Sequence, residues 1–334
     1  MNGYNIQLEK LCKILKLGEL TREPHELSGG LMHKMLALQT TTGKYAVKAL
    51  NPQVMARLEA MQNIINSEKI ACIVTKNINA VPAKIYNDKA LQEIDGQYYL
   101  VFNWCNGKNI FGDSITSIHC QKIGKILAKI HKIDFTKLGL VDNYTANEPV
   151  PDWNSYFEKG ITANVPWVQL VRDNLDKLYY YSNQLCFASK ILSENTVITH
   201  GDLDPKNVLW QNKTPYITDW EAAGYVNPMY DLFETTVYWS RDNNGELDKN
   251  RFFALFKGYK SIIPDLHSDW NLVLDKSFSG LLGWLEYSLK RSLWIECSDE
   301  DENKMGTEHV IGTINNINKY TEDKKILAEW LKEV

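Results

Sequence analysis

The chain has 334 residues, of which 23% are charged and 44% hydrophobic, an ordinary composition for a globular protein with sizeable cores. Its formal net charge of −4 gives no reason to expect a nucleic-acid partner. No apolar run reaches the roughly 18 to 20 residues of a membrane-spanning helix, and residues 1–10 lack the pattern of a signal peptide.

The six cysteines lie far apart and show neither a C-x-x-C motif nor the spacing of a zinc site. Free thiols fit a reducing compartment, so we expect a cytoplasmic protein. We also expect a monomer or a weak dimer, without membrane or nucleic-acid partners.

Residues 27–50 alternate in the manner of a β-hairpin. Two runs with apolar residues, 35–39 and 44–50, surround Thr40-Thr41-Thr42-Gly43, which favours a turn. Lys48 lies inside the second run, where a lysine is costly to bury unless its ammonium meets an anion. The alternative is a lysine with a buried stem and a solvated charge.

Two further features flank this hairpin. Ser28, Gly29 and Gly30 precede it, and small residues let backbone N–H groups approach an anion. The chain contains neither a Walker A sequence nor a G-x-G-x-x-G motif, so P-loop and dinucleotide-binding folds have little support. After the hairpin, the predicted helix near residues 56–74 carries two acidic residues, Glu59 and Glu68.

Residues 98–107 form an apolar run that predicts a strand ending at Gly107. From Ile115 onward the apolar residues recur at i, i+3, i+4 and i+7, which predicts helices. Further helices are predicted at 168–192, 250–263, 272–295 and 326–331. The sheet would therefore belong to residues 1–106 and the helical part to residues 107–334.

Residues 198–221 read I-T-H-G-D-L-D-P-K-N-V-L-W-Q-N-K-T-P-Y-I-T-D-W-E and are the most informative segment. Phosphoryl transfer requires a carboxylate to align an acceptor hydroxyl, and an amide oxygen and a second carboxylate to hold Mg²⁺. Asp202, Asn207 and Asp219 match this set and its spacing. A simple polar turn is the alternative. Apolar residues flank the loop, however, and burying these groups without a cation or substrate would be costly.

The sequence H-G-D-x-x-x-x-N followed by I-x-D-W-E resembles the aminoglycoside phosphotransferase and choline kinase superfamily. These are small-molecule kinases that share the protein-kinase fold. Gly201 stands where protein kinases usually carry an arginine, and no A-P-E motif follows Asp219, so both positions favour a small-molecule acceptor. The resemblance is strong from about residue 199 to 234, and moderate near Lys48 and at 101–107.

The fold implied by this resemblance is α+β and two-lobed. An N-terminal lobe with an antiparallel sheet and a helix would bind the nucleotide. A larger, mainly helical C-terminal lobe would bind the acceptor.

The resemblance also implies roles for the motif residues. Asp202 would be the catalytic base, with Asn207 and Asp219 as Mg²⁺ ligands. His200 would support the loop through hydrogen bonds. Asp231, in N-P-M-Y-D-L, would brace the same loop.

In the nucleotide-binding lobe, Lys48 would contact the phosphates of ATP or GTP, beneath a loop formed by Ser28, Gly29 and Gly30. A glutamate on the next helix would pair with this lysine. We favour Glu68 over Glu59, since its distance in sequence from Lys48 is kinase-like and apolar residues follow it. Either glutamate could instead be a solvated helix charge.

The segment between the lobes would follow the apolar strand and bind the nucleobase through backbone groups. Trp104, Cys105 and Asn106 are the residues expected there. A buried strand followed by an ordinary turn is the alternative, and both descriptions can hold together.

The resemblance implies several classes of acceptor. The family phosphorylates aminoglycosides, other hydroxylated antibiotics, choline, ethanolamine, homoserine and methylthioribose. A cationic acceptor calls for carboxylates and aromatic faces. The candidates for this role are Asp204, Glu221, Glu234, Trp239, Glu286 and Tyr287.

Several of these acidic and aromatic residues have a structural alternative. Asp204 could cap the turn of the loop. Aromatic residues at helical spacing could be core side chains, and the acidic run 299–302 could be a solvated loop.

Three functions remain at this point. The first is an antibiotic kinase, most readily an aminoglycoside O-phosphotransferase involved in resistance. The second is a metabolic kinase for choline or a related amino alcohol. The third is a catalytically silent kinase-fold binding protein, which the intact set of Lys48, Asp202, Asn207 and Asp219 argues against.

Overall fold

The computed structural model describes residues 3–27, 32–142 and 149–334, so Ser28, Gly29 and Gly30 lie outside the described residues. The chain divides into two compact units. The first unit comprises Met1–Ile115, Lys132–Val141 and His200–Gly224; the second comprises Thr116–His131, Asp142–Thr199 and Tyr225–Val334. The division at residues 106 and 107 stays a prediction.

A five-stranded antiparallel sheet forms the first part of the first unit. Its strands are β1 (His25–Glu26), β2 (Lys34–Thr40), β3 (Gly43–Ala49), β4 (Gln92–Ile94) and β5 (Gln97–Asn103), in the order β1-β2-β3-β5-β4. Thr40 pairs with Gly43, which leaves Thr41 and Thr42 as the turn. The predicted hairpin is therefore confirmed.

Apolar side chains cover both faces of this sheet. Three helices accompany it: α1 (Leu8–Ile14), α2 (Pro52–Met55) and α3 (Ala60–Val74). Val47 and Ala49 of β3 belong to one core with Leu11 of α1, whereas Leu100 of β5 belongs to a second core with Ile64 of α3. Because neighbouring residues of a strand point to opposite faces, Lys48 lies on the second face.

Two shorter pairs of strands frame the segment with the kinase-like motif. β6 (Val197–Thr199) pairs with β9 (Gly224–Val226), and β7 (Val208–Gln211) pairs with β8 (Thr214–Ile217). Val208 pairs with Ile217, so the residues just outside this hairpin, Asn207 and Thr218, become neighbours.

The second unit is mainly helical. Its helices are α4 (Ser117–His131), α5 (Trp153–Ala163), α6 (Val168–Leu192), α7 (Pro228–Ser240), α8 (Lys249–Lys260), α9 (Trp270–Lys276), α10 (Phe278–Ser292) and α11 (Glu300–Leu331). Together with the antiparallel sheet they confirm the α+β class.

Two of the predicted helices differ from the observed ones. The helix predicted at 272–295 is divided at Ser277 into α9 and α10. The helix predicted at 326–331 is only the end of α11. The acidic run 299–302 is not a loop but the start of α11. The Asp299 side chain accepts a hydrogen bond from the backbone N–H of Glu302, and the remaining acids lie in the first turn, where the helix dipole favours negative charge.

Close packing of α4 against α8 depends on two glycines. A Cβ atom on Gly124 would overlap the carbonyl oxygen of Leu255, and a Cβ atom on Gly258 would overlap that of Gln121. The backbones of the two helices can therefore approach to a distance that larger residues would prevent. No helix in the described ranges combines the length and apolarity needed to cross a membrane.

Candidate active site

The loop between β6 and β7 positions Asp202 and Asn207 next to each other. The side-chain amide of Asn207 donates hydrogen bonds to the backbone carbonyl of Asp202 at 2.8 Å and to its Oδ2 at 2.9 Å. Asp204 caps the short 3-10 turn Pro205–Asn207 by accepting a hydrogen bond from the backbone N–H of Lys206. Since the Nδ2 group of Asn207 makes both of these hydrogen bonds, its Oδ1 atom remains available to bind a cation.

A second set of bonds ties Asp219 to this loop. The backbone N–H of Thr218 donates to the carbonyl of Asn207 at 2.9 Å. His200 accepts from the backbone N–H of Asp202 at Nδ1 and contacts the carbonyl of Thr218 through Nε2 at 2.9 Å. This pattern fixes the tautomer with hydrogen on Nε2. The fully buried His200 thus links the segments that carry Asp202 and Asp219, and its supporting role stays a prediction.

Gly201 and Asp219 both have left-handed backbone conformations. Gly201 has φ of +75°, and a Cβ atom there would overlap the carbonyl oxygen of Ala222. Asp219 has φ of +59°, which an aspartate tolerates better than most residues but still at some cost. Glycine is therefore required at position 201 by local geometry. Strain at Asp219 is typical of a functional position.

Lys48 of β3 is held between two carboxylates. Its Nζ lies 2.6 Å from Oδ1 of Asp219 and 2.8 Å from Oε2 of Glu221. The lysine side chain is 7% exposed, whereas that of Asp219 is 35% exposed, so the cluster opens to solvent on its acidic side. The expected buried lysine is thus present, and its ammonium is not solvated.

Burial and these contacts shift the ionisation of all three groups. Burial lowers the pKa of Lys48, but the two carboxylates outweigh it and raise the pKa above its ordinary value. Burial raises the pKa of Asp219, but Lys48 outweighs it and holds the pKa below its ordinary value. For Glu221, burial dominates and raises the pKa. Asp219 therefore keeps its charge more readily than Glu221.

Glu68 lies on the buried face of α3, whereas Glu59 is exposed at the start of that helix. The Oε2 atom of Glu68 accepts a hydrogen bond from the backbone N–H of Ala83 at 2.6 Å. Burial raises the pKa of Glu68 to about 7, although the charge of Lys48 partly opposes this. The ion pairs of Lys48 are with Asp219 and Glu221, so pairing with Glu68 stays a prediction.

Two residues of the cluster were not recognised from the sequence. Lys206 lies 3.2 Å from Oδ2 of Asp202. His33, just before β2, has Nε2 3.4 Å from Oε2 of Glu221 and accepts from the backbone N–H of Asn51. Burial, reinforced by Lys48, lowers the pKa of His33 to about 3, so it is neutral near pH 7. The position of Lys206, four residues after Asp202, could have indicated this contact from the sequence. No sequence pattern indicated the contact of His33 with Glu221.

Asp231 anchors the start of the loop within the second unit. Its Oδ2 accepts hydrogen bonds from Nε2 of His131 at 2.8 Å and from the hydroxyl of Thr199 at 2.7 Å. Thr199 is the last residue of β6 and directly precedes His200. The carboxylate thus contacts the residue that directly precedes the loop, and its role in bracing the loop stays a prediction.

The segment after β5 has no regular secondary structure from residue 104 to 107. Trp104 donates its indole N–H to the side chain of Asn106, and the ammonium of Lys44 lies 3.4 Å from its ring centroid. A Cβ atom on Gly107 would come within 2.7 Å of Leu209, so glycine permits close approach to β7. The nucleobase-binding role of Trp104 and Cys105 stays a prediction.

The candidates for acceptor binding divide between the two units. In the first unit, Asp204 caps a turn and Glu221 contacts Lys48. In the second, Trp239 has no exposed surface, which favours the alternative of a core side chain. Glu234 accepts from Tyr238 at 3.3 Å, and burial raises its pKa to about 7.

The remaining two acceptor candidates lie on α10. Glu286 accepts from the hydroxyl of Tyr156 at 2.8 Å and lies 2.9 Å from Lys290. Tyr287 packs beside Trp284 and under the guanidinium of Arg291. Each therefore has protein partners, and their contact with an acceptor stays a prediction.

Negative charge is in excess around the loop. Four carboxyl groups, those of Asp202, Asp204, Asp219 and Glu221, interact with two ammonium groups, those of Lys48 and Lys206. No three His, Cys, Asp or Glu side chains within the described ranges form a metal site by themselves. Asn207 and Asp219 nevertheless offer hard oxygen donors of the kind that Mg²⁺ accepts together with phosphate oxygens and water.

Comparison with known proteins gives a consistent result. The profile of the phosphotransferase enzyme family matches residues 24–264. A spectinomycin phosphotransferase in complex with ADP and spectinomycin superimposes with a TM-score of 0.67 at 14% identity, covering 93% of this chain and 98% of that one.

Two further solved structures are similar. Choline kinase from Cryptosporidium parvum Iowa II gives a TM-score of 0.59 at 12% identity, covering 96% of each chain. Amicoumacin kinase in complex with AMP-PNP, Ca²⁺ and Ami gives 0.60 at 12% identity, covering 94% of each chain. At these identities the similarity concerns the fold, and it confirms the expected protein-kinase-like class.

Proposed function

The chain belongs to the phosphotransferase enzyme family, and from this premise we propose that it transfers the γ-phosphoryl group of ATP or GTP to a hydroxyl of a small, cationic acceptor. An aminoglycoside-type antibiotic is the first acceptor class. An amino alcohol such as choline or ethanolamine is the alternative.

The observation that carries this proposal is the cluster of Lys48, Asp219 and Glu221. A buried lysine shared by two carboxylates has no packing purpose that an apolar residue would not serve better. A nucleotide phosphate and a divalent cation would complete the cluster, because the phosphate meets the ammonium and the cation meets the surplus carboxylates.

Asp202 is the proposed catalytic base. Its Oδ2 is oriented by Asn207 at 2.9 Å and by Lys206 at 3.2 Å, and its side chain is 31% exposed, so an acceptor can reach it. Asp202 would accept a hydrogen bond from the acceptor hydroxyl, align its oxygen with the γ-phosphorus and take its proton. The transfer is direct and in line, with the nucleoside diphosphate as leaving group.

The other residues act on the donor phosphates. Lys48 would neutralise phosphate charge, and Asn207 Oδ1 and Asp219 would hold Mg²⁺. When bound, this ion would supply charge neutralisation on the phosphate oxygens. Since Lys48 contacts Asp219 directly, the lysine and the metal ligand would be oriented together.

The surplus of carboxylates beside Asp202 favours a cationic molecule over an anionic one. The similar structures include both a spectinomycin phosphotransferase and a choline kinase, so both acceptor classes enter the test.

The test is nucleotide-consuming turnover with Mg²⁺ and ATP or GTP across kanamycin, gentamicin, spectinomycin, choline, ethanolamine and homoserine. Asp202→Asn serves as the blank, since it keeps the size of the side chain and removes its basicity. Asp265→Asn, at an exposed position, is the matched control and should retain wild-type turnover.

Turnover on one acceptor that disappears in Asp202→Asn supports the proposal and identifies the acceptor class. Turnover that is equal in both proteins contradicts the role of Asp202. Binding of nucleotide without turnover on any acceptor favours the alternative of a silent binding protein.

A further inference from the structure

His33 lies at the edge of the candidate active site, and one side of its ring is fixed by the backbone. It directly precedes β2, is 5% exposed, and accepts a hydrogen bond at Nδ1 from the backbone N–H of Asn51 at 2.9 Å. A ring nitrogen that accepts a hydrogen bond carries no hydrogen, so the ring hydrogen lies on Nε2. Because Lys34 of β2 pairs with Ala49 of β3, the two segments that make this bond are held together.

The Nε2 atom of His33 lies beside Glu221. It is 3.4 Å from Oε2 of that carboxylate, somewhat longer than a usual hydrogen bond of about 2.7 to 3.2 Å. The same oxygen lies 2.8 Å from Nζ of Lys48. Lys48 therefore holds Glu221 at closer range, and a small movement of the carboxylate toward the ring would complete a hydrogen bond with His33.

Nucleotide binding would change the balance between these two partners of Glu221. The ammonium of Lys48 already lies within 3 Å of two carboxylates, those of Asp219 and Glu221, at 2.6 and 2.8 Å. A phosphate that binds the same ammonium brings a third anion to one positive charge, so Lys48 would attract each carboxylate less strongly. Asp219 is a predicted metal ligand and would be compensated by the cation. Glu221 would be left with the N–H of His33.

We propose that His33 is a positioning residue that holds Glu221 while a nucleotide phosphate occupies the ammonium of Lys48. This inference rests on the proposed function, because it requires a nucleotide to bind at Lys48. Without the imidazole ring, Glu221 would stay with Lys48 and compete with the phosphate. His33 therefore acts on nucleotide affinity through Glu221.

Two substitutions separate the roles of the two ring nitrogens. The amide of asparagine ends near the position of Nδ1, whereas the amide of glutamine reaches the position of Nε2. His33→Asn therefore keeps an acceptor for the N–H of Asn51 and loses the donor to Glu221, and His33→Gln does the reverse. The measurement is calorimetric titration of the full chain, without acceptor, with Mg²⁺ and whichever of ATP or GTP the wild type binds more tightly.

The two variants should rank in opposite order in affinity and in stability. His33→Asn should raise the Kd for nucleotide about ten-fold, and His33→Gln should stay within about two-fold of the wild type. The melting temperature should fall more in His33→Gln, because the buried N–H of Asn51 loses its acceptor. If affinity instead followed the melting temperature, His33 would act only through Asn51 and the proposal would be overturned.

A double-mutant cycle tests the route through Glu221. Glu221→Gln removes the charge that competes for Lys48, so in this background His33→Asn should change the Kd by less than about two-fold. A ten-fold weakening that persists there would overturn the proposal. His25→Asn, at an exposed position of β1, is the matched control and should bind nucleotide like the wild type.

The titrations also distinguish failure of this inference from failure of the proposed function. A wild-type protein that binds neither ATP nor GTP would contradict both. If the wild type binds nucleotide and a folded His33→Asn protein binds it equally tightly, only the role of His33 is overturned.

Discussion

Buried acids are held in opposite ways in the two units. In the second unit, the Oδ2 atom of Asp231 accepts hydrogen bonds from both His131 and Thr199. In the first unit, Asp219 and Glu221 share the single ammonium of Lys48, and the backbone of Asp219 is left-handed.

We interpret this difference as that between a structural acid and a functional one. A hydrogen-bonded acid such as Asp231 contributes to folding, because its Oδ2 atom is the acceptor for two buried donors. Crowded carboxylates around Lys48 and Lys206 instead repel one another, and folding alone gives no reason to retain them. Their arrangement indicates a site that a cation and a phosphate would complete. Variants of the carboxylates around Lys48 and Lys206 should therefore lose activity, whereas variants of Asp231 should lose stability.

Asp202→Asn should cause the largest loss, and the loss should be of activity alone. Removal of a general base costs roughly two to four orders of magnitude in kcat. Asp202 is partly exposed, and asparagine has the same size and can still accept a hydrogen bond. The melting temperature and the Kd for nucleotide should therefore change little. Steady-state kinetics and calorimetric titration of nucleotide measure these quantities. If Asp202→Asn failed to fold, Asp202 would stabilise the protein as Asp231 is expected to, and the proposed difference between the two clusters would be wrong.

Asp231→Ala should have the opposite phenotype. It leaves His131 and Thr199 without their buried acceptor, so the free energy of unfolding should fall by about 3 to 5 kcal/mol. Urea denaturation measures this, and Asp231→Asn, which keeps an acceptor oxygen, should lose less. Stability equal to that of the wild type would show that Asp231 is not the support inferred from its contacts.

Asp219→Asn should weaken nucleotide binding without a comparable loss of stability. Losing one charged metal contact is expected to raise the Kd for Mg²⁺-ATP by about ten-fold or more. Removing Mg²⁺ with EDTA sharpens the test, since the wild type and the variant should then bind ATP with similar affinity. A difference that persists in EDTA would assign Asp219 a role other than holding the metal.

The motif residues could be predicted because they are close in sequence. Asp202, Asn207 and Asp219 span 18 positions within one loop and hairpin, so their spacing carries the geometry. The hairpin of β2 and β3 was predicted for the same reason, since alternation and a turn are local patterns.

What could not be predicted depends on distant contacts or weak patterns. The contact of Lys48 with Glu221 depends on packing between residues more than 170 positions apart in the chain. The sequence around His33 does not distinguish it from the other histidines, because its contact with Glu221 is made only in the folded chain. Only the end of helix α11 was predicted. Its first turn is a run of acidic residues, which was interpreted as a solvated loop but is stabilised by the helix dipole at the N-terminus.

One buried glutamate in each unit should make the stability of the protein depend on pH. Burial raises the pKa of both Glu68 and Glu234 to about 7, well above the value of a glutamate in an unfolded chain. The folded protein therefore keeps protons that the unfolded chain releases, and this contribution is present at low pH and lost as the pH rises to about 7.

The contribution of these two glutamates to the free energy of unfolding should accordingly decrease between pH 5 and pH 8. Glu68→Gln or Glu234→Gln should each reduce that decrease, because an amide does not titrate, and the double variant should reduce it further. Urea denaturation at each pH measures the slope. Identical slopes in the wild type and the double variant would contradict the raised pKa values.

The smallest expected effect comes from two aspartates that cap helical turns, one in each unit. Asp299 caps α11 and Asp204 caps the turn that carries Asn207. Loss of such a cap costs about 1 kcal/mol, so Asp299→Ala and Asp204→Ala should lower the free energy of unfolding by similar amounts. Only Asp204→Ala should also lower kcat, because the turn that it caps sets the position of Asn207 beside Asp202. Serine at either position restores the capping oxygen, so Asp204→Ser should recover most of the lost turnover if Asp204 acts through the turn. If Asp204→Ser is stable but as inactive as Asp204→Ala, the carboxylate itself is needed, and Asp204 belongs with the charged groups that meet the acceptor.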